Sequence, residues 1–121
     1  MADAKQHYLA GLKLFGAKQH EKAIEEYDRA LAAKPDWVDV LLAKATCQSN
    51  LGQHDQAIET VQRVIELTPN DAMAFTSLSI FLQRQNKIPE AITNLEKYLS
   101  LNPTDAQNVA TAQGLIKALK K

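Results

Sequence analysis

The chain is poor in the features that build cross-linked, extended or membrane-embedded folds. A single cysteine, Cys47, excludes a disulfide within the chain and suits a reducing compartment. The 4 glycines are scattered, so no glycine-rich phosphate loop exists. Neither sign of charge is in excess, Lys+Arg and Asp+Glu each numbering 14. Without a concentrated positive field, neither nucleic acid nor an anionic membrane is expected as a partner. No stretch approaches the roughly 18 apolar residues of a membrane span, so membrane insertion is not expected. The N-terminal residues carry charges with no apolar run behind them. No secretory signal is expected there, and the expected location is the cytoplasm. Period-two alternation and the Asn-Gly or Asp-Gly pairs of tight hairpins are also missing, which argues against strands.

What remains is an ordinary globular composition, 121 residues with 45% hydrophobic content, enough for one domain. Its organisation is periodic. Pro35, Pro69 and Pro103 stand 34 residues apart, as do Ala23, Ala57 and Ala91, and Ile24, Ile58 and Ile92. Leu31, Ile65 and Leu99 keep their chemical type in one column, Arg29, Arg63 and Lys97 in another, and Tyr27, Val61 and Leu95 in a third. His20 and His54 share a column with Ile88. Such self-similarity marks stacked units, each burying its apolar face on its neighbours.

Within a period the apolar steps are helical, as in Ala57, Ile58, Val61, Val64 and Ile65. Gly52 and Asn86 share the column where a first helix must stop. Lys18 holds that column in the first repeat and Gly16 lies two residues early, so the stop is less defined there. Pro89 fits a first helical turn. Asp36 and Thr104 read as N-caps, with Asp39 and Gln107 three residues on as in a capping box. Six helices are expected near 4–17, 21–34, 37–51, 55–68, 71–85 and 89–101. A seventh is expected near 105–119, with Val109, Ala112, Ile116 and Leu119 as its apolar stripe.

Signals for catalysis are weak. His7, His20 and His54 never stand four apart, so no helix presents a metal-ligand pair. Cys47 reads as a small buried hydrophobe. Ser and Thr residues sit in no nucleophile motif. No cofactor or metal is expected. Glu21, Lys22, Glu25, Glu26 and Arg29 read as a solvated convex face, with Lys22/Glu26 and Glu25/Arg29 pairs. Lys117, Lys120 and Lys121 read as complements to a helix dipole.

The 34-residue period, with alanine and proline at these offsets, resembles the tetratricopeptide repeat family over nearly the whole chain. The resemblance implies an all-α fold, a right-handed superhelix of three helical hairpins near 4–37, 38–71 and 72–105. The seventh helix caps it, within a single domain 1–121. Small residues stand where the family brings helices close: Gly11, Ala45 and Ser79 on the first helix, Ala23, Ala57 and Ala91 on the second. Departures are equally specific. Phe75 keeps a large aromatic that His7 and Leu41 replace, Lys44 stands where leucine is usual, and Gln48 where an aromatic is usual. Repeat two is the weakest match, held in frame by Gly52, Ala57, Ile58, Leu67 and Pro69.

The resemblance also implies a function: a protein–protein interaction module, an adaptor or scaffold rather than an enzyme. In the family the first helices line a concave groove. Its columns here hold Lys5, Tyr8, Leu9, Leu12 and Phe15, then Asp39, Leu42, Ala43, Thr46 and Asn50, then Met73, Thr76, Ser77, Ile80 and Arg84. Tyr8, Leu12, Leu42, Met73 and Ile80 would form a continuous apolar strip suited to an apolar or amphipathic peptide segment. Asp39, Asn50 and Arg84 would orient that segment from the rim. Co-chaperone members hold a C-terminal carboxylate with two Lys, two Asn and one Arg. Those columns carry Tyr8, Leu12, Ala43, Met73 and Ser77 here, so that subtype is not implied. The alternatives are a strip covered by the C-terminal helix or by a second copy, and a structural subunit that self-associates or sits permanently in a larger complex. The compact three-repeat form resembles many bacterial members of the family.

Overall fold

The computed structural model describes residues 3–121 and holds, among them, seven α-helices and no strand. They are α1 (Ala4–Gly16), α2 (His20–Ala33), α3 (Val38–Asn50), α4 (His54–Leu67), α5 (Ala72–Arg84), α6 (Ile88–Ser100) and α7 (Ala106–Leu119). Every expected helix is present, its ends displaced by no more than one residue.

The three hairpin turns are built alike. Lys18, Gly52 and Asn86 adopt left-handed φ angles of 62°, 83° and 61°. Each turn then closes with paired bonds to the preceding helix: Lys18 N to Phe15 O and Gln19 N to Leu14 O, Gly52 N to Ser49 O and Gln53 N to Gln48 O, Asn86 N to Gln83 O and Lys87 N to Leu82 O. The repeat frame therefore places the left-handed residue at Lys18, against the steric preference of a residue with a β-carbon, and Gly16 does not adopt that conformation.

Helix starts correct the sequence reading. The cap column is Asp3, Trp37, Asp71 and Asp105, one residue after Asp36 and Thr104. Asp3 and Gln6 form a reciprocal capping box at 2.8 and 2.9 Å. Asp71 accepts from Ala74 N at 3.2 Å and Asp105 from Asn108 N at 3.0 Å. Trp37 makes no side-chain cap bond. Asp36 instead accepts from Arg63 at 2.6 Å.

Each helix packs on the next in the chain, and no hairpin completes its own core. Ala4, Ala23, Tyr27 and Ala30 of the first hairpin cluster with Val40 and Cys47 of α3. Leu41, Leu42, Ala45, Ala57, Val61 and Val64 of the second cluster with Ala74, Leu78 and Phe81 of α5. Phe75, Leu95 and Tyr98 of the third cluster with Ala112 of α7. Cooperative stacking follows, because removing one unit exposes the apolar face of its neighbour. Within α7, Leu115 joins Ile116 and Leu119 against this last cluster, whereas Val109 is half-buried outside it.

The polar departures from the repeat pattern at His7, Gln48 and Lys44 each carry a polar partner. His7 Nδ1 meets Glu26 at 2.7 Å, the buried Gln48 accepts from Thr60 at 2.8 Å, and Lys44 pairs with Asp28 at 2.7 Å. Glu26, Thr60 and Asn94 share one column, and Asn94 donates to Phe75 O at 2.8 Å. A brace from second to first helix thus recurs in each hairpin. Glu21, Lys22, Glu25 and Arg29 are exposed as expected, but Glu26 is half-buried against His7, and in place of the expected Lys22/Glu26 and Glu25/Arg29 pairs Arg29 meets Glu26 at 2.6 Å, three residues apart. Among the described residues no helix is long and apolar enough to cross a membrane.

Candidate functional site

The first helices of the three hairpins bring their side chains to one cleft of about 280 Å³. Tyr8, Leu12 and Phe15 come from α1, spaced four and three residues apart and so on one helical face. Asp39, Leu42, Ala43 and Thr46 come from α3, Met73 and Ser77 from α5. Met73 is 68% exposed and Leu12 40%. The Thr46 hydroxyl donates to Leu42 O at 3.0 Å and so leaves little polarity in the wall. All five columns that hold the carboxylate in the co-chaperone subtype line this cleft, occupied by Tyr8, Leu12, Ala43, Met73 and Ser77.

The remaining groove columns are placed differently. Leu42 edges the cleft but is 8% exposed and belongs to the core between repeats. Thr76 lines an adjoining cavity of about 240 Å³ with Met73, Ser77 and two residues of α7, Asn108 and Thr111. Ile80 is exposed outside both cavities. Asn50 and Arg84 are not free rim groups. The Arg84 guanidinium donates to Ser49 Oγ at 2.7 Å and to Asn50 Oδ1 at 3.2 Å, tying repeat three to repeat two. Lys5 and Leu9 are exposed and line neither cavity. The continuous strip is therefore an apolar cleft with Ile80 standing apart. No residue of α7 lines the main cleft, so the capping helix does not cover it.

Two ionisable groups around the site are shifted. Burial, and then the Asp39 carboxylate, push the Tyr8 phenol up. Burial raises the Cys47 thiol to about 11, so it behaves as the inert apolar residue its helix position implies. Among the described residues no group of three or more His, Cys, Asp or Glu is placed to hold a metal ion.

Sequence reasoning missed Trp37. Its ring lies 5.0 Å from that of Tyr8, and the Lys34 ammonium sits 4.9 Å from its centroid. The signal was present: Trp37 is the one non-aspartate in the cap column of Asp3, Asp71 and Asp105. It supports Tyr8 where the other repeats place a helix cap.

The family model described as tetratricopeptide repeat matches residues 14–79. No curated protein sequence matches the chain. Among solved structures, PcrH from Pseudomonas aeruginosa superposes with a TM-score of 0.86 at 14% identity, covering 98% of this chain and 92% of that one. The Yersinia enterocolitica type III secretion chaperone SycD, in complex with a peptide of the translocator YopD, gives 0.84 at 16% identity, covering 96% and 91%. The first repeat domain of Spaghetti, bound to an HSP90 peptide, gives 0.78 at 19% identity, covering 98% and 94%. At these identities the structural likeness speaks for the fold. The family model spans more than half of the sequence. The chain belongs to the tetratricopeptide repeat family.

Proposed function

We propose that the chain is a protein-interaction module, an adaptor or scaffold, whose cleft receives an apolar or amphipathic segment of a protein partner. The observation that carries this reading is the exposure of Leu12 and Met73 around a cleft whose other apolar lining is Tyr8, Phe15, Leu42 and Ala43, with Asp39, Thr46 and Ser77 between them. Apolar side chains held in water at a concave site are relieved of hydration by an apolar ligand. The structural neighbours described as peptide-bound, SycD with a YopD peptide and Spaghetti with an HSP90 peptide, support this use of the fold. An anionic chain end is a poor ligand here, because the clamp columns offer it no cation. The chemistry needs no cofactor. A cytoplasmic setting fits the single buried thiol.

Burial of about 400 Å² of apolar surface contributes about 10 kcal/mol at ~25 cal/mol/Å². Association and ordering oppose it by about 4–15 kcal/mol. The balance leaves at most about 6 kcal/mol, a complex no tighter than tens of micromolar, suited to assembly and exchange. The test is capture of partners by the wild type beside Leu12→Asp, read by mass spectrometry. Capture should be lost with helical circular dichroism unchanged. Undiminished capture by the variant would remove the cleft from the function. A wild type that only sediments as a concentration-dependent dimer would make a second copy the occupant.

A further inference from the structure

Among the described residues, Asp39 is the one charged residue lining the cleft. It is also the one aspartate of this chain with no side-chain partner among the described residues. Asp28 pairs with Lys44, and Asp36 with Arg63. Asp55 accepts from Gln85, and Asp3, Asp71 and Asp105 cap helices. Asp39 is exposed, makes no ion pair, and lies close enough to Tyr8 to disfavour the phenolate. Lys5, in the same column one repeat earlier, forms no ion pair with it. Its place in the first turn of α3 suits a carboxylate facing the helix dipole, but that position does not require it to line an apolar cleft.

We infer that the segment this cleft receives carries a basic side chain, lysine or arginine, among its apolar residues. The inference rests on the proposed cleft. Apolar neighbours of the basic residue cover Leu12 and Met73, its alkyl stem lies along the Tyr8 ring, and its cationic head meets the Asp39 carboxylate. Recognition thus has the opposite sign to a carboxylate clamp, from a position beside the clamp columns in the same cleft. A lone carboxylate in an apolar wall rejects acidic segments, which would bury like charges together, and selects basic ones.

The probe is a pool of Leu/Met/Ala-rich decapeptides identical except for one central position set to Lys, Arg, norleucine or Glu. Captured peptides are quantified by mass spectrometry at low and high salt. The wild type should retain the Lys and Arg peptides about fivefold over norleucine, the upper range for a partly exposed pair, and the Glu peptide least. The preference should shrink at high salt. Asp39→Asn should flatten it and Asp39→Lys invert it, with thermal unfolding of both confirming an intact fold. Charge-indifferent capture that still needs Leu12 overturns this inference and leaves the cleft standing. A preference that survives in Asp39→Asn overturns it as well. Equal capture by Leu12→Asp overturns the cleft, and no capture of any peptide overturns both.

Discussion

A methyl group added at Gly11 should destabilise the fold, although glycine is a poor helix residue. On intrinsic propensity, Gly11→Ala in the middle of α1 should gain about 1 kcal/mol. A β-carbon at Gly11, however, would lie 2.3 Å from Tyr27 Cε1, 2.6 Å from Cδ1 and 3.0 Å from Cζ. Ordinary carbon contacts are about 3.5–4.0 Å, so the ring must retreat by more than 1 Å. Tyr27 is completely buried among Val40, Cys47 and the Tyr8 ring, and has no free direction. Overpacking of this kind costs about 1–3 kcal/mol. The helix term offsets only part of it, because a clash this short lies at the severe end. The net expectation is a loss of about 1–2 kcal/mol, or roughly 3–8 °C in Tm for a domain of this size. Gly114→Ala in α7, where no atom lies within 4 Å, should instead stabilise by about 0.5–1 kcal/mol. The repeats supply a further control. Ala45 and Ser79 occupy the column of Gly11, and Val61 and Leu95 that of Tyr27. In a Tyr27→Val background the pairing of repeat two is recreated, and the same Gly11→Ala change should become neutral or stabilising. Urea and thermal unfolding followed by circular dichroism measure all four variants. A Gly11→Ala protein more stable than wild type would refute the close-approach account of this column.

Three further outcomes follow from the turns, the braces and the core. Lys18→Gly should raise stability by roughly 0.5–1 kcal/mol, since relief of a left-handed residue with a β-carbon exceeds glycine's added unfolded entropy; a lower urea midpoint contradicts this. The hydrogen bond from His7, and after it Arg29, hold the Glu26 carboxyl below its usual range against the opposing effect of burial. A depressed folded-state pKa contributes stability that is complete above the unfolded carboxylate range and is lost as pH falls through the folded value. The gap in urea midpoint between wild type and Glu26→Gln should accordingly be full at neutral pH and close on acidification below that range, whereas a gap constant with pH would discount the brace. Cys47, buried and with its thiol raised to about 11, should react with a disulfide reagent only after unfolding; rapid labelling of the native protein would place it elsewhere.

The fold was legible because its strongest determinants are repeated. Ala23, Ala57 and Ala91 allow close helix approach three times over, and Gly52 and Asn86 mark the turn strongly enough that Lys18 is carried with them. The cap column was misread by one residue because Trp37 interrupts it and Asp36 offers a false start. The cleft was legible in outline only. Register places Tyr8, Leu12 and Phe15 on one face, but depth depends on how the next hairpin closes over it. Leu42 is drawn into the core by α5, and Arg84 and Asn50 are consumed by a mutual bond. Position in the repeat specifies a face; distance to the neighbouring unit decides what that face leaves in water.

Read together, the departures from the repeat pattern separate structure from function. A polar group in a packed hairpin interface is costly unless a partner is provided, and at His7, Lys44 and Gln48 the partner is provided from the adjoining second helix, by Glu26, Asp28 and Thr60. These substitutions are closed within the molecule. The interfaces they occupy are redundant enough to exchange an apolar contact for a hydrogen bond without altering the frame. Asp39 is the contrasting case, a charge set among apolar groups with no ion-pair partner among the described residues. Because it remains hydrated, it costs the folded chain little. It becomes consequential only when a ligand displaces that water, and then only a ligand with a donor or a cation compensates it. An internally satisfied substitution is a variation in packing, whereas an unsatisfied one at the wall of an exposed apolar cleft specifies what the partner must bring.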